Sequence, residues 1–167
     1  MAKNKSKEYI KYWADGCSGQ SCVADYIIPA SAILNRDYPK LKCACFNNIF
    51  AWDADSYEKV LHKHHNYETV DMVFGLDYGE LLMVEAKLDI QNVENIKGEI
   101  EKKVAHTKEY LVSSDNFKTV RPSVVLFGQK NFNQLYSRYR KMRSNKTDII
   151  PMTLSTFFSD YFGRGII

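Results

Sequence analysis

The chain has 167 residues, of which 45% are hydrophobic and 26% charged, and it carries a net charge of +3. These proportions suit one globular domain and exclude collagen-like, disordered and disulfide-scaffold chains. No apolar run approaches the ~20 residues that span a bilayer, and the lysine-rich start leads into no secretory apolar segment. A single cytoplasmic domain over 1–167 is therefore expected, with a basic N-terminal arm at 1–19 and a helix–strand–helix extension at 130–167.

In chain order, residues 1–12 read as a helix start or a loose basic arm. Gln20–Leu34 reads as a helix that Pro29 interrupts or bends. Lys42–Trp52 is a candidate strand broken at Asn47-Asn48, and Asp55–His65 a short helix with Asp55 or Ser56 as its cap. Glu68–Phe74 and Glu80–Leu88 are two strand patterns around Gly75-Leu76-Asp77-Tyr78-Gly79, whose glycines suit a hairpin loop. Val93–Val112 is an amphipathic helix with Val93, Ile96, Ile100, Val104 and Leu111 near one stripe. Val120–Phe127 is a buried-type strand. Phe132–Met142 is a helix with its arginines facing out. Thr147–Met152 is a short strand and Leu154–Phe162 a last helix. The sum is an α/β architecture with a mixed sheet.

Charge is unevenly spread. From Asn48 to Ile90 nine acids face three lysines, a balance of −6, whereas Arg121 to Thr147 holds seven basic residues and no acid, a balance of +7. Two solvated faces would account for this. So would a cation held near the acids and a polyanion held near the bases.

Strand alternation sorts the hairpin. Val70, Met72 and Phe74, with Leu82, Val84, Ala86 and Leu88, form an apolar face; Asp71, Glu85 and Lys87 point the other way, with Met83 and Leu81 beneath them. A loop centred on Asp77 sets Asp71 opposite position 83 and diagonally near Glu85. Two close carboxylates repel, so they share a proton or hold a cation. A hard cation such as Mg²⁺ takes carboxylate, carbonyl and water oxygens. A neighbouring lysine then orients water or meets charge growing on a phosphate. The plain alternative is a surface ion pair between Glu85 and Lys87.

Asp71, followed fourteen residues later by Glu85-Ala86-Lys87 across a hairpin, resembles the D…(D/E)-x-K motif of the PD-(D/E)xK nuclease superfamily, which includes restriction endonucleases, junction resolvases and repair exonucleases. Position 70 is Val where the family name has Pro. The resemblance implies a restriction-endonuclease-like αβββαβ core, a mixed central sheet flanked by helices, with the aspartate on the second strand and E-x-K on the third. It implies a Mg²⁺- or Mn²⁺-dependent nuclease acting on DNA, with Asp71, Glu85 and Lys87 catalytic. Asp71, Glu85 and the Ala86 carbonyl would be the metal ligands. A catalytically silent module that binds DNA or protein is the alternative, and a homodimer is compatible with either.

Chance predicts about three acid-x-Lys/Arg triplets from 20 acids and 23 bases, and two occur. Glu101-x-Lys103 lies on a helix, where i and i+2 do not share a face, and is set aside. Arg138, Arg140, Lys141 and Arg143 are the candidate DNA contacts, with Tyr136 and Tyr139 interleaved among them. Asp25, His106 and Tyr110 are accessory candidates: Asp25 as the only acid of the first helix, and His106-x-x-x-Tyr110 where some exonuclease branches carry Q-x-x-x-Y. The plainer reading of His106 and Tyr110 is an ordinary half-buried helix pair. Cys17, Cys22, Cys43 and Cys45, with His62, His64 and His65, could assemble a zinc site, although buried thiols are the default for four sparse cysteines.

Overall fold

Three apolar runs, Met72–Gly75, Glu80–Lys87 and Ser123–Phe127, build the centre of the protein, and their near-continuous burial means that the sheet is covered on both faces. The structure, a computed structural model, describes residues 3–8, 23–61, 68–112, 119–120, 122–142 and 148–163. Among these, the strands are β1 (Ile27–Pro29), β2 (Phe50–Asp53), β3 (Met72–Gly75), β4 (Glu80–Lys87), β5 (Thr119–Val120), β6 (Ser123–Phe127) and β7 (Ile149–Thr153). The helices are α1 (Ala30–Asp37), α2 (Ala54–Leu61), α3 (Lys97–Val112), α4 (Phe132–Met142) and α5 (Leu154–Tyr161).

Strand order is β1-β2-β3-β4-β6-β7, with β5 also pairing β4. β1 to β4 pair antiparallel in succession, while β6 runs parallel to β4 and β7 parallel to β6, so the sheet is mixed and open. The connection from β4 through α3 to β6 is the crossover that a parallel pair requires. On one face Met72, Phe74, Val84 and Leu126 meet Ile33 and Leu34 of α1 and Phe157 of α5. On the other, Val73 and Met83 meet Tyr57 of α2, and Val125 and Phe127 meet Ile100 of α3 and Leu135 and Tyr139 of α4. The α/β class with helices on a mixed sheet is thus as expected, and no described helix is long and apolar enough to cross a membrane.

Several local expectations are corrected. Gln20–Leu34 is not one helix: a 3₁₀ turn at Val23–Tyr26 leads into β1, and Pro29 ends that strand and directly precedes α1. Proline is tolerated there because β1 is an edge strand. Lys42–Trp52 is strand only from Phe50, with a 3₁₀ turn at Ala44–Phe46 before it. Helix α2 is capped by neither Asp55 nor Ser56; the Asp53 carboxylate accepts from the Ser56 N–H at 3.1 Å. Asp53 also takes Arg36 at 2.6 Å, which staples α1 to the end of β2. Burial opposes the charge on Arg36, but the Asp53 hydrogen bond and charge outweigh it and hold the guanidinium above its usual pKa. The strand expected at Val120–Phe127 is two pieces, β5 and β6. The start of the basic arm is docked rather than loose: Lys5 N–H donates to the Gly75 carbonyl at 2.7 Å, and Gly75 N–H donates to the buried Ser6 hydroxyl at 2.9 Å. Residues 9–19 of the arm lie outside the described residues.

One close approach fixes the ends of β4 and β6. A Cβ on Gly128 would sit 2.2 Å from the Leu88 carbonyl oxygen, a backbone atom that moves only with its strand. Gly128→Ala is therefore expected to cost about 1–3 kcal/mol in a urea melt, since overpacking against backbone has no flexible side chain to yield.

Candidate active site

The β3–β4 hairpin turns at Tyr78 and Gly79, both in the left-handed region with φ of 64° and 75°. This centres the loop one residue later than expected, and the register pairs Met72 with Val84. Asp71, immediately before β3, therefore comes opposite Glu85 instead of position 83. The two are joined reciprocally. Asp71 N–H donates to Glu85 Oε2 at 3.3 Å, and Ala86 N–H donates to Asp71 Oδ2 at 2.7 Å.

Glu85, Lys87 and Asp71 share the sheet face covered by α2, α3 and α4, because Glu85 is the register partner of Val125 in that face's core. The face is not open: Glu85 is 0% exposed, buried beneath α3. A buried carboxylate needs partners, and Glu85 Oε1 has two, Lys103 Nζ at 2.8 Å and Lys87 Nζ at 3.1 Å. Lys87 also holds Glu99 at 2.7 Å, and Lys103 lies 3.9 Å from Asp71 Oδ1 and 3.8 Å from Glu99. Three acids and two lysines thus form one network.

Lys103 is the residue that sequence reasoning missed. Its triplet with Glu101 carries nothing, but its partner lies eighteen residues upstream on β4. The readable cues were its place four residues after Glu99 and beside Val104 on the apolar stripe, which turn it toward the sheet. Thr107, a further turn along α3, accepts from Val70 N–H at 3.0 Å and pins the helix over the start of β3.

The electrostatics follow from crowding. Burial and the Glu85 charge push the Asp71 carboxyl up to about 7, against the opposing pull of the Ala86 N–H and the two lysines. Burial alone would pull Lys87 down, but its hydrogen bond to Glu99 and its pairing with Glu85 outweigh that and hold the ammonium above its ordinary pKa. Lys103 is likewise held up, by Glu85 and then Asp71, against burial.

The Ala86 carbonyl accepts from the Tyr38 hydroxyl at 3.0 Å, and the Tyr38 hydroxyl oxygen in turn accepts from Leu88 N–H at 3.2 Å. Burial raises the Tyr38 phenol, which keeps it a donor. One of the two carbonyl lone pairs is thereby used. Among the described residues no group of three or more His, Cys, Asp and Glu side chains is arranged to hold a metal. Two carboxylates and a carbonyl nevertheless fit a hard cation that keeps several waters, and the Asp71 carboxyl, raised by burial and then by the Glu85 charge, is one whose ionised form a bound cation would favour.

The remaining candidates fall elsewhere. His106 turns toward α2, with Nε2 4.0 Å from Glu58, and does not join Asp71 and Glu85. Tyr110 is on α3, but its side chain lies outside the described residues. Asp25 is exposed in the 3₁₀ turn before β1, two strands away from β3. Arg138, Arg140 and Lys141 are exposed on α4 while Leu135 and Tyr139 are buried; Arg143 lies outside the described residues. Tyr139 packs edge-on against Phe127 at 5.7 Å and is core, not a surface for bases. Tyr136 is half-buried under the Arg140 guanidinium, 5.7 Å from its ring centre. The Cys43 thiol is buried and donates to the Asn35 side-chain carbonyl at 3.3 Å, with its pKa raised by that burial. Cys17, Cys22, His62, His64 and His65 lie outside the described residues. Set against family models, curated proteins and solved structures, the chain matches none of them.

Proposed function

We propose that this protein is a Mg²⁺- or Mn²⁺-dependent nuclease of the PD-(D/E)xK type that hydrolyses DNA phosphodiester bonds. The observation that carries the reading is the pair of directly opposed carboxylates, Asp71 and Glu85, converging on one ammonium within 4 Å of both, with Lys87 on the same face. The order α1, β2, β3, β4, α3, β6 supports it as well: helix, three antiparallel strands, helix, parallel strand, with α2 as an insertion.

Asp71 and Glu85, with the Ala86 carbonyl, would hold the cation. When bound, the cation polarises a phosphoryl oxygen and acidifies bound water. Lys87 is fixed by Glu99 and kept protonated, so it acts as a donor rather than a base. It orients the attacking water and meets the charge that grows on the phosphate. Supercoiled plasmid with Mg²⁺ tests this: the wild-type protein should nick it, and Lys87→Ala should lower the rate by about 10²–10⁴-fold.

A second reading is a silent nuclease-fold module, favoured because Glu85 is completely buried and already neutralised by two lysines. Under it the wild-type protein binds DNA and nicks nothing. Both readings use α4, which lies on the carboxylates' face of the sheet. Replacing Arg138 and Lys141 together should flatten the salt dependence of DNA affinity by about one to two units of slope, at roughly 0.9 per phosphate contact. Affinity measured in Ca²⁺ at several salt concentrations checks this; an unchanged slope would make α4 only a solvated face.

A further inference from the structure

We infer that Lys103 is a tethered counter-ion of the Asp71–Glu85 pair, a positioning residue that holds the two carboxylates together in the metal-free protein and is exchanged for the divalent cation when it binds. The inference rests on the proposed metal site but adds to it a residue outside the Asp…Glu-x-Lys motif.

Geometry assigns the role. A cation shared by two carboxylates sits between them, and the group found there is the Lys103 ammonium, 2.8 Å from Glu85 Oε1 and 3.9 Å from Asp71 Oδ1. Lys87 reaches Glu85 too, but its shorter bond goes to Glu99, so its place is beside the pair. Lys103 is carried on α3, on a long flexible stem, with its side chain 14% exposed. A way out is built in: Glu99, one turn earlier on the same helix, is already 3.8 Å away and 35% exposed. The exchange moves one ammonium by a few bonds and leaves the backbone in place. Because Thr107 fastens the helix to Val70 N–H, α3 does not have to move with the lysine.

The consequence is competition. Two positive charges cannot occupy one point between two carboxylates, so each excludes the other by Coulomb repulsion in a poorly solvated place. The lysine stabilises the empty site and weakens cation binding by the same interaction. A purely structural lysine does the opposite: its loss would misplace the carboxylates and weaken cation binding.

Mn²⁺ alone, titrated into the whole chain without DNA and followed by the electron paramagnetic resonance of free Mn²⁺, separates the two. Lys103→Met keeps the stem and removes the charge. It should bind Mn²⁺ about tenfold more tightly than wild type and melt lower without metal. Lys103→Arg, which restores the charge, should return affinity toward the wild-type value. Equal or weaker binding by Lys103→Met overturns the inference while leaving the metal site standing. Binding by neither wild type nor Lys103→Met overturns both. A second measurement needs no variant: in the wild-type protein the ¹⁵N-resolved Lys103 ammonium signal, protected by its contact with Glu85, should shift or broaden as Mg²⁺ is added. A signal unmoved at saturating Mg²⁺ overturns the inference.

Discussion

Asp71→Asn is expected to make the metal-free protein more stable at pH 8 while removing its Mg²⁺-dependent activity. The Asp71 carboxyl sits near 7 in the fold, against about 4 in an unfolded chain. Between those values the folded protein holds a proton that the unfolded chain has lost, so stability falls as pH rises through the window, and the full cost stands above pH 7. Asparagine keeps an oxygen for the Ala86 N–H and removes the charge. A gain of about 1–3 kcal/mol at pH 8, vanishing near pH 4, is the expected result of urea melts without metal. Loss of a cation ligand should lower cleavage by about 10³-fold or more, as several kcal/mol of charge stabilisation disappear. The stability gain reports the crowded, buried charge and the lost cleavage reports the cation ligand, so the two readouts test the two properties separately.

Glu85→Gln should move stability the other way. Glu85 is fully buried and is the partner that Lys87 and Lys103 share. Its neutral amide leaves two ammonium groups facing each other in a place with little solvent. Breaking a buried pair from one side costs about 3–5 kcal/mol. Urea melts of the metal-free protein should therefore show wild type between the two variants, with Asp71→Asn above and Glu85→Gln below. The opposite signs come from one site because Glu85 has more cationic partners than Asp71, whose nearest ammonium is 3.9 Å away.

What could be read in advance was what local pattern decides. Strand alternation placed Asp71, Glu85 and Lys87 on one side of β3 and β4, and the apolar runs gave the central strands. The register was off because it depends on which loop residues take the left-handed conformation, and Tyr78 is not a residue that advertises it. β1 was hidden inside an apparent helix, since three residues of edge strand carry too little pattern to outweigh Pro29 as a helix break. Lys103 and Tyr38 were out of reach for a different reason. Each meets the E-x-K strand across the tertiary fold, from α3 and from the end of α1, and the rotation of a helix against a sheet is set by packing rather than by neighbours in sequence.

Whether Asp71 and Glu85 hold a divalent cation is read from thermal melting with and without millimolar Mg²⁺ at pH 8, in wild type and in Asp71→Asn. A cation that binds only the folded protein raises the melting temperature by mass action. The wild-type protein should melt higher with Mg²⁺, by more at pH 8 than at pH 5.5, where the proton competes at Asp71. Asp71→Asn should melt at the same temperature with and without the metal. An equal rise in the two proteins would show that the cation binds somewhere other than this pair.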